Sequence, residues 1–327
     1  MPWNFPFWQV FRLVIPTLFA GNTVLIKHAP NVPQCGQFIE QLFSDAQFPK
    51  GLYQNIRIDE SGIKNLIKDN RIMAVSLTGS VTAGSKVASI AGEAIKKTVL
   101  ELGGSDPFII LKDANLKLAA EMAVQSRMLN AGQSCIAAKR WIVDQAVADD
   151  FMLIAKQAIE QLKVGDPQLL ETDIGPLARP DILSQLEHQI SQSIKMGAII
   201  KCGGSRAQSE GNFFNPTLLI NVNSKMPVFQ EEVFGPVASI IIAENTQHAI
   251  ELANESDFGL GAAVWTEDPD KALRVARQIQ CGTIAINGMV ASRPEMPFGG
   301  IKNSGFGREL SAHGLLEFVN IKSIAIS

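Results

Sequence analysis

Cysteine is scarce in this chain, with four in 327 residues, at positions 35, 135, 202 and 281. None stands in a C-x-x-C pair, which argues against a disulfide scaffold and leaves no zinc-ligand spacing, so a reducing, cytoplasmic setting is the expectation. Runs of one charge are missing too. Lys plus Arg number 29 against 32 Asp plus Glu, and the basic residues are dispersed, so neither nucleic acid nor a membrane is an expected partner. No stretch reads as a spanning segment. Phe5 to Ile26 is strongly apolar, but Gln9, Arg12, Pro16 and Gly21-Asn22 interrupt it, and the marks of a secretory leader are not visible there. A buried helix followed by a buried strand fits it better. His28, His188, His248 and His313 lie outside any recognisable Cys/His motif, which counts against a thiol hydrolase. Internal repeats and low-complexity segments are absent as well.

What is present suits a globular enzyme of about two domains, with 46% hydrophobic and 19% charged residues. Apolar runs at Thr23 to Lys27, Ile72 to Leu77, Thr98 to Leu102 and Pro107 to Leu111 predict strands. Helical patterns from Pro33 to Ala46, after Ser80 through Ala94 and from Asn115 separate them. A strand over Arg140 to Val143 and a helix from Ala146 to Leu162 continue the alternation, which predicts a parallel sheet covered on both faces. The tail from Glu317 to Ile326 ends in β-branched residues and reads as a strand.

The chemistry centres on Cys135, in Asn130-Ala131-Gly132-Gln133-Ser134-Cys135, and on Glu101, in Leu100-Glu101-Leu102-Gly103-Gly104. A thiolate can capture a carbon covalently and a carboxylate can activate the water that later cleaves a thioester. An isolated cysteine in a Gly-rich loop is usually only a small buried hydrophobe. Similarly, Thr78-Gly79-Ser80 between a strand and a helix start offers backbone N–H groups to a phosphate, or is an ordinary turn.

Six motifs in order change that balance: Pro2-Trp3-Asn4-Phe5-Pro6, Leu77-Thr78-Gly79-Ser80, Glu101-Leu102-Gly103-Gly104, Gly132-Gln133-Ser134-Cys135, Glu231-Glu232-Val233-Phe234-Gly235-Pro236-Val237, and the stretch from Pro297 to Glu309 containing Gly299-Gly300 and Gly305-Phe306-Gly307. Together they resemble the aldehyde dehydrogenase superfamily over nearly the whole chain. Leu25 to Asn31 and Ser134 to Arg140 resemble its bacterial succinate-semialdehyde dehydrogenase branch. The resemblance implies an α/β fold: a Rossmann-type nucleotide-binding domain over residues 1–104, incomplete at its N-terminus, an α/β catalytic domain over 105–305, and a tail over 306–327 with an oligomerisation strand. It implies NAD or NADP as cofactor, oxidation of a small aldehyde (succinate semialdehyde to succinate) through a cysteine thioester, and a homodimer or homotetramer in the full-length form. Cys135 would be the nucleophile, Glu101 the base, and Asn4 with the Cys135 N–H the oxyanion hole. Trp3, Lys27, Gly79, Ser80, Leu102, Glu232 and Phe234 would contact the cofactor. Gly103 and Gly104 would let the backbone turn sharply after the strand carrying Glu101.

The chain also departs from the pattern. Pro30 stands where most members carry a ribose-binding glutamate, and the loss of that carboxylate admits the 2′-phosphate of NADP. Arg12 and Ser292 match two of three residues that grip a distal carboxylate in the succinate-semialdehyde branch, but the third position is Leu129, so Arg127 or Arg293 is expected to supply the missing charge. An acylating, CoA-dependent relative is disfavoured because those enzymes generally lack a glutamate at position 101. Members of the family carry a segment before Pro-Trp-Asn-Phe-Pro. The alternatives are therefore a non-catalytic truncated fragment and a dehydrogenase for another small aldehyde.

Overall fold

A computed structural model describes residues 1–207 and 210–327, and these divide into two units. The first comprises residues 1–102, 292–300 and 304–327, the second residues 103–291 and 301–303.

In the first unit the apolar stretch folds as helix Trp8–Phe19 followed by strand Val24–Ile26. Val10 and Val14 of the helix and Val24 and Ile26 of the strand pack with Ile39, Phe43 and Tyr53 into one core. Helix Pro33–Asp45 begins with proline at its first position, where the missing N–H is not needed. Among the described residues, strand Val24–Ile26 pairs in parallel only with Tyr53–Asn55. Ala74–Thr78 and Lys97–Glu101 form a second parallel pair, extended on the antiparallel side by Gly305–Phe306. That last pairing, with the Phe298 to Glu309 bridge and the bond from the Asn22 amide to the Phe318 carbonyl, is why residues 292–300 and the tail group with the first unit.

The second unit is built on a seven-stranded sheet. Its order is Thr283–Ile286, Gly261–Trp265, Asp106–Ile110, Ala138–Asp144, Val237–Ala243, Thr217–Ile220 and Ile199–Cys202. Every neighbouring pair is parallel except the last, an antiparallel edge. Every residue of the two central strands is buried, as expected of a parallel sheet covered on both faces. Phe108, Ile109, Trp141, Ile142 and Val264 are among them or beside them, each contributing about 1.5–3 kcal/mol by leaving water.

The tail differs from expectation. Helix Ser311–Leu316 is followed by no strand, and residues from Ile321 onward are exposed. A strand exists only through hydrogen bonds to a neighbour, and among the described residues none pairs with this segment.

Candidate functional site

The carboxylate set lies in the first unit. Glu101 ends strand Lys97–Glu101 and is 2% exposed, with neither carboxylate oxygen accepting a hydrogen bond among the described residues. Burial first, and then the neighbouring Glu309, push its carboxyl well above the usual range, with Arg12 and Arg308 pulling the other way. Gly299 stands against it. A Cβ there would come 2.7 Å from Glu101 Oε1, and its φ of +156° suits glycine. Arg12 is itself buried, donates from Nε to Glu309, and lies 4.2 Å from the centre of the Phe298 ring. Ser292 belongs to the same unit, and its hydroxyl is buried with no hydrogen-bond partner among the described residues.

The turn expected to meet a phosphate is formed by Gly79 and Ser80. Gly79 N–H donates to the Glu101 carbonyl at 3.0 Å, joining this turn to the strand that carries Glu101. Ser80 is exposed and caps helix Val81–Glu93, its Oγ accepting from Ala83 N–H at 3.3 Å. A Cβ on Gly79 would meet nothing nearer than 3.9 Å, so the turn stands open, as an approaching pyrophosphate requires. Leu102 is buried against this helix so closely that a Cβ on Gly84 would fall 2.5 Å from its side chain. Lys27 is half-buried just past strand Val24–Ile26, and Pro30 is exposed. Trp3 and Asn4 are half-buried in the loop before helix Trp8–Phe19.

The thiol set lies in the second unit. Helix Leu116–Met128 ends at Leu129, and Asn130, Ala131 and Gly132 then take left-handed φ values of 54°, 53° and 73°. Asn130 and Gln133 hold this turn. The Gln133 side chain donates to the Asn130 carbonyl at 3.0 Å, and its oxygen accepts from Ala178 N–H at 2.9 Å. Cys135 follows, half-buried and not in a disulfide. The loop feeds strand Ala138–Asp144, so the nucleophile candidate sits at the amino-terminal edge of the sheet. Asp106, which opens the neighbouring strand, and the loop carrying Glu232 and Phe234, which leads into Val237–Ala243, reach the same edge. Both Glu232 and Phe234 are half-buried. Glu232 accepts from Gly104 N–H at 3.0 Å, and burial pushes its carboxyl up against the pull of Lys139.

Two readings need correction. Arg127 has no surface to offer a substrate carboxylate. It is completely buried and donates to the carbonyls of Val237 at 2.6 Å, Val233 at 2.9 Å and Gly132 at 3.1 Å, and also to that of Gly235. Backbone acceptors on two loops occupy its fork, so it stitches the cysteine turn to the Glu232 loop. Gly103 and Gly104 lack positive φ. They are glycines because a Cβ on Gly103 would lie 2.5 Å from Glu232 Oε2, and one on Gly104 2.5 Å from the Cys135 carbonyl oxygen. Sequence reasoning also missed Lys139, Asp106 and Glu309. The available signal was a charge placed inside or beside an otherwise apolar strand or buried loop.

The second unit holds a half-buried cysteine on a tightly bonded loop, and the first holds a buried carboxyl pushed well above its usual range, residue types that a thiol-dependent oxidoreductase uses. The chain belongs to the aldehyde dehydrogenase family, whose model matches residues 1–324. It is 53% identical over its whole length to a probable succinate-semialdehyde dehydrogenase [NADP(+)] of Synechocystis sp., covering 72% of that protein. It is 49% identical to the succinate semialdehyde dehydrogenase [NAD(P)+] Sad of Escherichia coli K12, with 99% of this chain and 70% of that one matched. A crystal structure of succinic semialdehyde dehydrogenase from Streptococcus pyogenes in complex with NADP+ superposes with a TM-score of 0.97 at 38% identity, covering 99% of this chain and 71% of that one. Among the described residues no helix is long and apolar enough to cross a membrane.

Proposed function

We propose that this chain oxidises succinate semialdehyde to succinate, using NADP or NAD. The likeness of 53% and 49% to two enzymes named for that substrate carries the reading. The first unit is assigned to the nucleotide and the second to the thiol chemistry. The open turn at Gly79-Ser80 suits a pyrophosphate, and Lys27, Leu102, Trp3, Glu232 and Phe234 are assigned to the rest of the cofactor. Exposed Pro30 presents no carboxylate to repel a 2′-phosphate. Once bound, the nicotinamide supplies a hydride acceptor.

The residues then divide the work. Cys135 thiolate adds to the aldehyde carbon, and the Asn4 amide donates to the oxyanion, a kind of contact worth about 2.7–4 kcal/mol where it has been removed. Once the carbon is oxidised it is held as a thioester on Cys135. Glu101 takes a proton from water, the water oxygen adds to the thioester carbon, and the thiolate leaves as the acid forms. Arg12, oriented through Nε by Glu309, and Ser292 are assigned to the distal carboxylate. Homodimer or homotetramer assembly in a cytoplasmic setting completes the reading. Exposed Phe19, Phe38 and Phe48 on the first unit supply apolar surface for assembly, and sedimentation velocity tests it.

A second reading is oxidation of a small uncharged aldehyde. The occupied guanidinium of Arg127 and the half-exposed Leu129 favour it, because neither supplies the second cation expected for a distal carboxylate and only Arg293 is left for that part. NAD(P)H absorbance with succinate semialdehyde and butanal separates the two, the first reading requiring a much higher kcat/KM for the acid aldehyde. Cys135→Ala should abolish turnover. Glu101→Gln should accumulate thioester, visible by intact-protein mass, and release acid slowly. Unchanged steady-state turnover in Glu101→Gln would remove Glu101 from the mechanism.

A further inference from the structure

Lys139 is the second residue of central strand Ala138–Asp144, and none of its side chain is exposed. Its ammonium donates to the carbonyls of Ser134 at 2.8 Å and Cys135 at 2.7 Å, and lies 3.9 Å from Glu232 Oε1. The charged and titratable groups that act on it are Glu232 on its loop, Asp106 on the next strand, Arg127 on helix Leu116–Met128, and Cys135 itself. Arg140 and Glu232 act in turn on Asp106. Taking an ammonium wholly out of water is costly unless its charge is compensated. A neutral amide would satisfy two backbone carbonyls at lower desolvation cost, so the hydrogen bonds alone do not account for a lysine here.

We propose that Lys139 is a positioning residue for the nucleophile: it fixes the backbone of Ser134 and Cys135 and supplies the positive charge that favours the Cys135 thiolate. Asp106 and Glu232 set how much of that charge reaches the sulfur. The proposal rests on the reading of Cys135 as nucleophile. A cation beside a thiol lowers its pKa, and a carboxylate sharing that cation has the opposite effect. Burial pushes the Asp106 carboxyl only to about 6, so it is ionised above that pH and its removal is felt there.

The test is the pH dependence of Cys135 alkylation. Thiolate displaces iodide from iodoacetamide, forming a sulfur–carbon bond, and peptide mass spectrometry separates Cys135 from Cys35, Cys202 and Cys281. Lys139→Gln should move the profile to higher pH by about one unit, slowing the reaction at neutral pH about tenfold. Asp106→Asn, which keeps an acceptor for the Gly261 N–H, should move it to lower pH. Opposite shifts are the signature of a charge, whereas general loosening of the loop moves both variants the same way. Lys139→Arg should stay near wild type. If it does not fold by thermal melt, the two opposite shifts still decide the matter. An unshifted Lys139→Gln profile, or shifts of the same sign, overturns the proposal. Alkylation needs neither aldehyde nor cofactor. Opposite shifts without NAD(P)H formation therefore sink only the dehydrogenase reading, and normal turnover with unshifted profiles sinks only the role of Lys139.

Discussion

Arg12 and Glu309 are both almost fully buried and paired, and the Glu101 carboxylate shares their field without a hydrogen-bond partner among the described residues. Removing one member of such a pair leaves a charge uncompensated, which costs about 3–5 kcal/mol. Arg12→Ala should show that loss in urea unfolding, and the double variant Arg12→Met with Glu309→Leu should recover most of it. Arg12→Lys keeps a cation for Glu309 but loses the planar fork, so KM should rise for succinate semialdehyde and stay level for butanal. Equal changes for both substrates would leave Arg12 a structural role only. Glu101 itself makes a pH prediction. Its folded carboxyl binds a proton more tightly than the unfolded one, whose value is near 4.5. Between 4.5 and the folded value the unfolded chain ionises first, so this group's contribution to stability is full below 4.5 and is lost as pH rises through the folded value. Glu101→Gln should therefore have a Tm above wild type at neutral pH and one that converges with it in acid. A constant offset at all pH would contradict the raised carboxyl.

At the scale of an element, the cysteine turn shows how much local geometry a short motif encodes. Three consecutive left-handed residues bend the chain between helix Leu116–Met128 and the central strand, and Gly132 is the most tightly constrained of them. Its φ is +73°, and a Cβ would sit 2.2 Å from the Gly235 carbonyl oxygen. Left-handed strain of about 1–2 kcal/mol, with overpacking of about 1–3 kcal/mol, predicts that Gly132→Ala loses roughly 2–5 kcal/mol in urea unfolding. Ala131 already tolerates a left-handed φ of 53°, so Ala131→Gly should not destabilise, which makes it the internal control. The sequence pointed to this loop and to the strand after it. It could not say that Arg127, three residues before Asn130, holds the turn to a loop more than a hundred residues later.

For the whole molecule, the tail gives the clearest prediction. Residues from Ile321 to Ser327 are exposed and pair with no strand among the described residues, so deleting them should leave the Tm of this chain unchanged. A drop would show contacts that the fold does not provide. The alternation of apolar strands with helices, the parallel sheet and the positions of Cys135 and Glu101 were all legible in the sequence. Periodicity and the spacing of small motifs are local properties that survive without coordinates. What only the tertiary structure decided were the long-range approaches. Gly103 and Gly104 are fixed by Glu232 and by the Cys135 carbonyl, Glu101 is tuned by Glu309 some two hundred residues away, and Lys139 faces Asp106 because parallel strands bring their amino-terminal ends to one edge. A chain read in order carries residue type and local period. Which buried charges meet is settled by sheet order and strand register, which bring together residues the sequence keeps far apart.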